Sequence, residues 1–143
     1  MSGIIGDVGS KSRIIKLDRE HFRVTAFGNS WHEWNVHTSI NDESGLNLYR
    51  YGKIYVAHLM LLRSGSTGTN IHETICTISS ANMTLPKNNT IMGGEFNPVG
   101  GSGEDDRTVR AQFNTDGTFD MYFNNHVGSN TFVAGNFIGI DLG

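Results

Sequence analysis

The chain has 143 residues, a formal net charge of −3, 18 glycines and 17% charged residues. That length is enough for one domain with a sizeable core, and scarce charge with abundant glycine favours an all-β protein with many tight turns over a helical enzyme domain. Scattered Lys and Arg argue against a nucleic-acid surface, and the single cysteine, Cys76, excludes an internal disulfide and a multi-cysteine zinc site.

The N-terminal segment, residues 1–18, differs from the rest of the chain. Its glycines and serines make it a poor helix, and it carries two isoleucine pairs ten residues apart: Ile4, Ile5, Ile14 and Ile15. Either this is a frayed terminus, or it is an extended arm that lays its isoleucines on a neighbouring chain, because apolar side chains are costly to leave in water. We therefore divide the chain into an arm, residues 1–18, and a domain, residues 19–143.

No segment of the sequence resembles a targeting or membrane-spanning element. The N-terminus lacks the continuous apolar stretch of a signal peptide, and no run approaches the roughly 18 apolar residues of a membrane helix. We expect synthesis in a cytosol and no membrane insertion.

Apolar and polar residues alternate with a period of two along most of the domain, which predicts half-buried strands. The predicted strands cover residues 20–26, 34–40, 71–79, 90–96, 109–113, 119–123 and 131–143. Asp116-Gly117 lies between two of these runs and is a strong hairpin signal. Residues 63–70 and 97–106 are polar or glycine-rich and read as loops. In the last strand Ile138, Ile140 and Leu142 share one parity.

The longest apolar run of the chain, residues 46–62 (LNLYRYGKIYVAHLMLL), organises this pattern. Aromatic and β-branched residues dominate its first two thirds, which favours a strand over a buried helix. We predict one long central strand that is bent or bulged at Gly52. Apolar residues occupy both odd and even positions of the run, so a strand formed by it has two apolar faces and both require burial.

About eight closely spaced strands without an amphipathic helix predict a two-sheet antiparallel sandwich, most simply a jelly roll.

Candidate chemical groups do not form a catalytic or metal-binding pattern. His32 and His37 point to opposite faces of a strand, and His72-Glu73 lacks the second histidine of a zinc-binding helix. Cys76 reads as an inert buried thiol. The acidic loop at residues 104–106 lacks the spacing of a calcium loop. We therefore predict a protein that is not an enzyme, with no catalytic residues, no metal and no cofactor.

The remaining candidates for ligand contact are aromatic. Trp31 and Tyr122, with Tyr49 and Tyr55, are candidates for an exposed surface on which a sugar stacks. The alternative is that these rings cover the core or a contact between subunits.

Several short motifs resemble those of bacteriophage fibre-tip and related virion domains. Residues 49–56 (YRYGKIYV) resemble a strand of that family, and residues 83–86 (MTLP), 109–113 and 114–118 (NTDGT) follow in the family's usual order. Residues 2–6 (SGIIG) resemble the leader that precedes such heads. The resemblance extends roughly from Leu46 to the C-terminus. The chain departs from the family in the loops at residues 63–70 and 100–106, so no receptor site is carried over there.

This resemblance implies a small jelly roll, similar to tumour-necrosis-factor-like heads, that assembles as a homotrimer. In such trimers apolar residues on the outer face of a sheet become the interface between subunits. One face of the central run then fills the core and the other meets the neighbouring chains. The candidate interface residues are Tyr49, Tyr51, Tyr55, Leu59 and Leu61.

Two roles on the surface of a virion follow from the resemblance, for a protein made in the cytoplasm of the bacterial host. The first is a trimeric capsid decoration (cement) protein, which grips the major capsid protein or another virion protein with Ile4, Ile5, Ile14 and Ile15. The second is a tail-fibre tip or head-fibre protein that recognises a host surface glycan. The first is preferred, because a fibre tip needs an anchor and a shaft that we do not find in these 143 residues. A carbohydrate-binding domain outside any virus fits the leader less well.

Overall fold

The computed structural model describes residues 19–33, 44–65, 71–100, 108–123 and 131–143. These residues form nine strands and no helix, which confirms the all-β prediction. The strands are β1 Arg19–Val24, β2 Trp31–Glu33, β3 Gly45–Tyr51, β4 Ile54–Arg63, β5 Ile71–Thr77, β6 Thr90–Gly100, β7 Thr108–Phe113, β8 Thr118–Phe123 and β9 Thr131–Ile140. The arm at residues 1–18 and the predicted strand at residues 34–40 lie outside the described residues.

All strand pairs are antiparallel and belong to one curled sheet, in the order β1-β3-β4-β9-β6-β7-β8-β5. The short strand β2 pairs with the end of β4. Because β9 returns to lie beside β6, the spatial order β9-β6-β7-β8 is a Greek key. The curl brings β5 to the connection between β1 and β2, where the backbone N–H of Gly28 donates to the Ile75 carbonyl at 2.9 Å.

The central apolar run is a hairpin, so the prediction of one long strand is wrong. β3 and β4 are joined by the two-residue turn Gly52-Lys53, and Tyr51 pairs with Ile54 across it. Gly52 has a φ of 60°, whereas Lys53 has no positive φ. A positive φ at the first central residue alone is the pattern of a type II′ turn, which matches the twist of the flanking strands.

The core fills the inside of the curl with side chains from all nine strands. Its largest fully buried members are Trp31, Leu46, Leu48, Tyr55, Leu59, Leu61, Ile75, Phe113, Phe119, Phe123 and Phe137. The polar end of a buried side chain forms a hydrogen bond where one is present: the Tyr55 hydroxyl donates to the Thr84 carbonyl at 2.9 Å.

Two strands depart from simple alternation through bulges. In β5 the register shifts between Thr74 and Cys76, so Ile75 and Cys76 are both buried. Burial, with Asp120 nearby, raises the pKa of the Cys76 thiol to about 12, which keeps it protonated and a poor nucleophile. β6 continues through Pro98 to Gly100, beyond its predicted end at residue 96, because a register shift after Pro98 accommodates the missing N–H.

The hairpin predicted at Asp116-Gly117 is confirmed, since β7 and β8 pair on either side of it. Gly117 has a φ of 88°, and its N–H donates to the Asn114 carbonyl at 3.0 Å.

Two adjacent glycines of β6 provide a test of this packing. A Cβ at residue 94 would lie 1.8 Å from the Asn136 carbonyl oxygen, whereas a Cβ at residue 93 would meet nothing within 4 Å among the described residues. We expect Gly94→Ala to lower the free energy of unfolding by about 1–3 kcal/mol. In the single chain, Gly93→Ala should leave it unchanged or raise it by about 0.5–1 kcal/mol. Urea unfolding of both variants measures the difference, and equal effects would contradict the described pairing of β6 with β9.

Candidate functional site

The outer surface of the sheet carries a cluster of exposed apolar side chains on β3, β4, β9 and β6. Its four isoleucines are between 38% and 58% exposed, which is high for this residue type in a folded chain. We call this surface the isoleucine face and define it by Tyr51, Ile54, Val56, Ile91, Ile138 and Ile140.

The register of the sheet places these side chains side by side. Ile54 lies directly opposite Tyr51 on one neighbouring strand and Ile140 on the other. In the next outward row Val56 lies opposite Ile138. Residues directly opposite each other have Cβ atoms about 4.5–5.5 Å apart, so these side chains form one continuous apolar surface.

The apolar surface continues along β4 and β9 past one polar pair. Nδ1 of His58 and Oδ1 of Asn136 are joined by a hydrogen bond of 2.7 Å. Beyond them, half-buried Met60 and Leu62 lie opposite Ala134 and Phe132.

The extended face has the size of the largest apolar patch on a typical monomer, which is often an interaction site. With strands about 4.8 Å apart and outward residues about 6.8 Å apart along a strand, the two rows that cross four strands and the two further rows on β4 and β9 together span roughly 400 Å². A standard protein interface buries about 800 Å² per partner around an apolar centre, and this face fits such a centre.

The structure divides the five predicted interface residues between the two sides of the sheet. Tyr51 is 42% exposed on the outer side, and half-buried Tyr49 stacks there on His21 with ring centroids 4.4 Å apart. Tyr55, Leu59 and Leu61 are fully buried in the core of their own chain. They cannot contact a second chain in this fold, because their side chains lie on the inner face of β4, whereas those of Ile54 and Val56 lie on its outer face.

The two candidate sugar-stacking residues are both engaged within the chain. Trp31 is buried, its ring lies 5.8 Å from that of Phe123 and its Nε1 donates to Glu73 at 2.8 Å. It therefore offers no surface to a ligand. Tyr122 is half-buried, with Arg110 over its ring at 4.2 Å and the His72 ring stacked 5.1 Å away.

The capsid-anchoring residues Ile4, Ile5, Ile14 and Ile15 lie outside the described residues. The interface predicted from the sequence does not include Ile91, Ile138 or Ile140. Adjacent apolar residues in β9 could have indicated them, as in the central run: Phe137 and Ile138 are both apolar, and only Phe137 is buried.

A cleft of about 270 Å³ lies beside the turn between β3 and β4, lined by Arg50, Lys53, Lys87 and Asp141 among others. The Arg50 guanidinium pairs with Glu20. Lys53 and Lys87 form no ion pair with another described residue, so the cleft offers two ammonium groups to an anion.

Asp141 is a structural part of this cleft. Its carboxylate accepts hydrogen bonds from the backbone N–H groups of Lys87 at 2.8 Å, Gly143 at 3.0 Å and Asn88 at 3.2 Å. Burial acts to raise the pKa of this carboxyl, but the three donors, together with the positive charge of Lys53, outweigh it and hold the pKa below its usual value.

Among the described residues no group of three or more His, Cys, Asp or Glu is placed to hold a metal ion. In the same part of the chain no helix has the length and apolar character to cross a membrane.

Comparison with models of known protein families gave no match, and a search of curated proteins found no significant relative.

The Asp141 hydrogen bonds predict a specific acid sensitivity. Because the native pKa is depressed, the stabilisation is present above the ordinary value of 3.8 and is lost as the pH falls through the lower native pKa. Asp141→Asn should therefore be less stable than the wild type at neutral pH, and the difference should shrink below pH 3.8. Urea unfolding of both proteins across this range checks it. A gap that stays constant with pH would refute the assignment.

Proposed function

We propose that this chain is a non-enzymatic structural protein of a bacteriophage virion and that it assembles as a homotrimer through the isoleucine face. The carrying observation is that β4 and β9 are apolar outward as well as inward. Their inward residues are buried by their own chain, and Ile138 and Ile140 remain more than half exposed. Burial of such a side chain stabilises by about 1.5–3 kcal/mol relative to exposure, so association through this face is favourable.

The threefold symmetry and the virion location come from the resemblance in residues 49–56, 83–86 and 109–118 to phage head domains. We propose that the curled sheet is a jelly roll of that kind. The Greek key β9-β6-β7-β8 supports this, because jelly rolls are built from Greek keys.

Within this proposal the preferred role is capsid decoration. The isoleucine face joins the copies to one another, and the arm at residues 1–18 is the segment that grips the major capsid protein or another virion protein. Division of the two tasks between two parts of the chain makes them separable by mutation.

The second candidate function is a fibre tip or head fibre that binds a host surface glycan. The cleft at Lys53 and Lys87 favours it, since its two ammonium groups, which form no ion pair with another described residue, suit an acidic sugar. The buried Trp31 gives it no support.

Charge placed on the isoleucine face should dissociate the assembly. We expect wild-type protein to sediment at three times the 15.7 kDa of one chain, and Ile138→Asp to sediment at the mass of one. The reason is that a desolvated carboxylate opposes association by several kcal/mol. Far-UV circular dichroism should be unchanged, because Ile138 contacts solvent in the single chain. Thr77→Asp, an exposed change on β5, is the matched control. A wild-type monomer at micromolar concentration would remove the basis of the proposal.

Deletion of residues 2–15 separates the two virion roles. The decoration role predicts a truncated trimer that no longer binds purified capsids, with loss of occupancy measured by co-sedimentation. Unchanged capsid occupancy would reject the arm as the anchor.

The receptor role instead predicts that the intact protein binds host cells and competes with phage adsorption, and that Lys53→Ala with Lys87→Ala abolishes the competition.

A further inference from the structure

Gly93 lies on β6 at the border of the isoleucine face, at an outward position where a side chain is expected. It lies on β6 opposite Ile138 of β9 on one side and Arg110 of β7 on the other. The outward row therefore runs Val56, Ile138, Gly93, Arg110, with a gap at the third place.

The chain's own fold does not require a glycine there. Gly93 has no positive φ, and a Cβ built on it meets no atom of the described residues within 4 Å. The neighbouring glycines differ: a Cβ on Gly94 would lie 1.8 Å from the Asn136 carbonyl oxygen, and one on Gly139 would lie 2.6 Å from the Ile91 carbonyl oxygen. Those two are explained by strand packing, whereas Gly93 is not.

A glycine inside a strand weakens it, because it loses more conformational freedom on folding and contributes no side-chain contact. When such a glycine lies on a surface, it often marks a place where a ligand or another backbone comes close. We propose that Gly93 is the point of closest approach of a second copy of this chain, whose isoleucine face lies over the bare backbone of β6. This inference rests on the proposed self-association and states which part of one copy lies closest to the next.

The surroundings of Gly93 favour a second copy as the occupant. On one side lie Ile138 and Ile91, each more than half exposed. On the other side the Arg110 guanidinium stacks over Tyr122, toward β8 and away from Gly93. The face thus has projecting isoleucines on β4 and β9 and a recess on β6, which are complementary shapes on different parts of one surface. A contact between different parts of the surface on two copies closes into a ring when three copies complete one full rotation, as the proposed trimer requires.

The charges at the border of the recess also suit self-association. Exposed Glu95 lies two residues along β6 from Gly93, and it forms no ion pair with another described residue. Arg110 lies directly across from Gly93 on β7. The Arg110 guanidinium lies beyond the recess, over the Tyr122 ring, so this surface carries one charge of each sign. Glu95 of one copy can approach Arg110 of the next, whereas charges of one sign would oppose association.

The test introduces a side chain at the recess. Gly93→Arg should keep the far-UV circular dichroism spectrum of the wild type, since the position is open in the single chain, but should weaken self-association roughly 100-fold. Gly93→Ala should weaken it by a smaller factor and guards against misfolding of the larger variant. Thr77→Arg adds the same side chain on β5 and should assemble as the wild type does. Sedimentation velocity over a concentration series measures all four proteins.

The outcomes distinguish this inference from the assembly on which it rests. If wild type and Gly93→Arg assemble equally tightly, the close approach at Gly93 is wrong and the proposed assembly stands. If wild type is monomeric, both fall. If the effect of Gly93→Arg disappears once residues 2–15 are deleted, the arm and not a second isoleucine face lies over Gly93, and the inference is overturned.

Discussion

The central constraint of this structure is that β4 is apolar on both sides. A strand directs successive side chains to opposite faces of the sheet, so a strand that is apolar at nearly every position needs two separate surfaces against which to bury them. The curl of the sheet satisfies one of them, since Tyr55, Leu59 and Leu61 are enclosed by the core. The other, which begins at Ile54, is continued by β9 in register and faces outward. The proposed assembly buries this outward surface against another copy of the chain.

The curl that encloses the core is held by contacts of β5, at one end of the sheet, with β2 and β4. Trp31 of β2 and Arg63 of β4 both bond to Glu73 of β5, each at 2.8 Å, and the ion pair is almost buried. Loss of one partner of a buried pair typically costs about 3–5 kcal/mol, so these residues give the sheet a defined curvature. A face with a defined shape loses less conformational entropy when it binds. The outward surface is therefore preorganised for association by contacts on the opposite side of the sheet.

The features that local sequence determines were predictable, and those that depend on distant pairing were not. The alternation of apolar and polar residues was sufficient to predict an all-β fold, and Asp116-Gly117 was sufficient to predict the hairpin of β7 and β8. Gly52 was misassigned because one glycine in an apolar run suits a bulge and a two-residue turn equally, and only the pairing of Tyr51 with Ile54 distinguishes them. Tyr55 was predicted to face outward but faces the core, because both faces of β4 are apolar and its sequence does not indicate which of them the sheet encloses. Gly93 and Gly94 are likewise indistinguishable in the sequence.

The most direct test of the account is the solvent exposure of isoleucine methyl groups in the intact wild-type protein. Methyl-labelled isoleucines can be observed by NMR while a soluble paramagnetic agent is added, with the fully buried Ile75 as internal reference. If copies of the chain cover the isoleucine face, the methyl groups of Ile54, Ile91 and Ile138 will be relaxed as weakly as that of Ile75. Strong relaxation of these groups, as expected for side chains that are 38–58% exposed in a single chain, would contradict it.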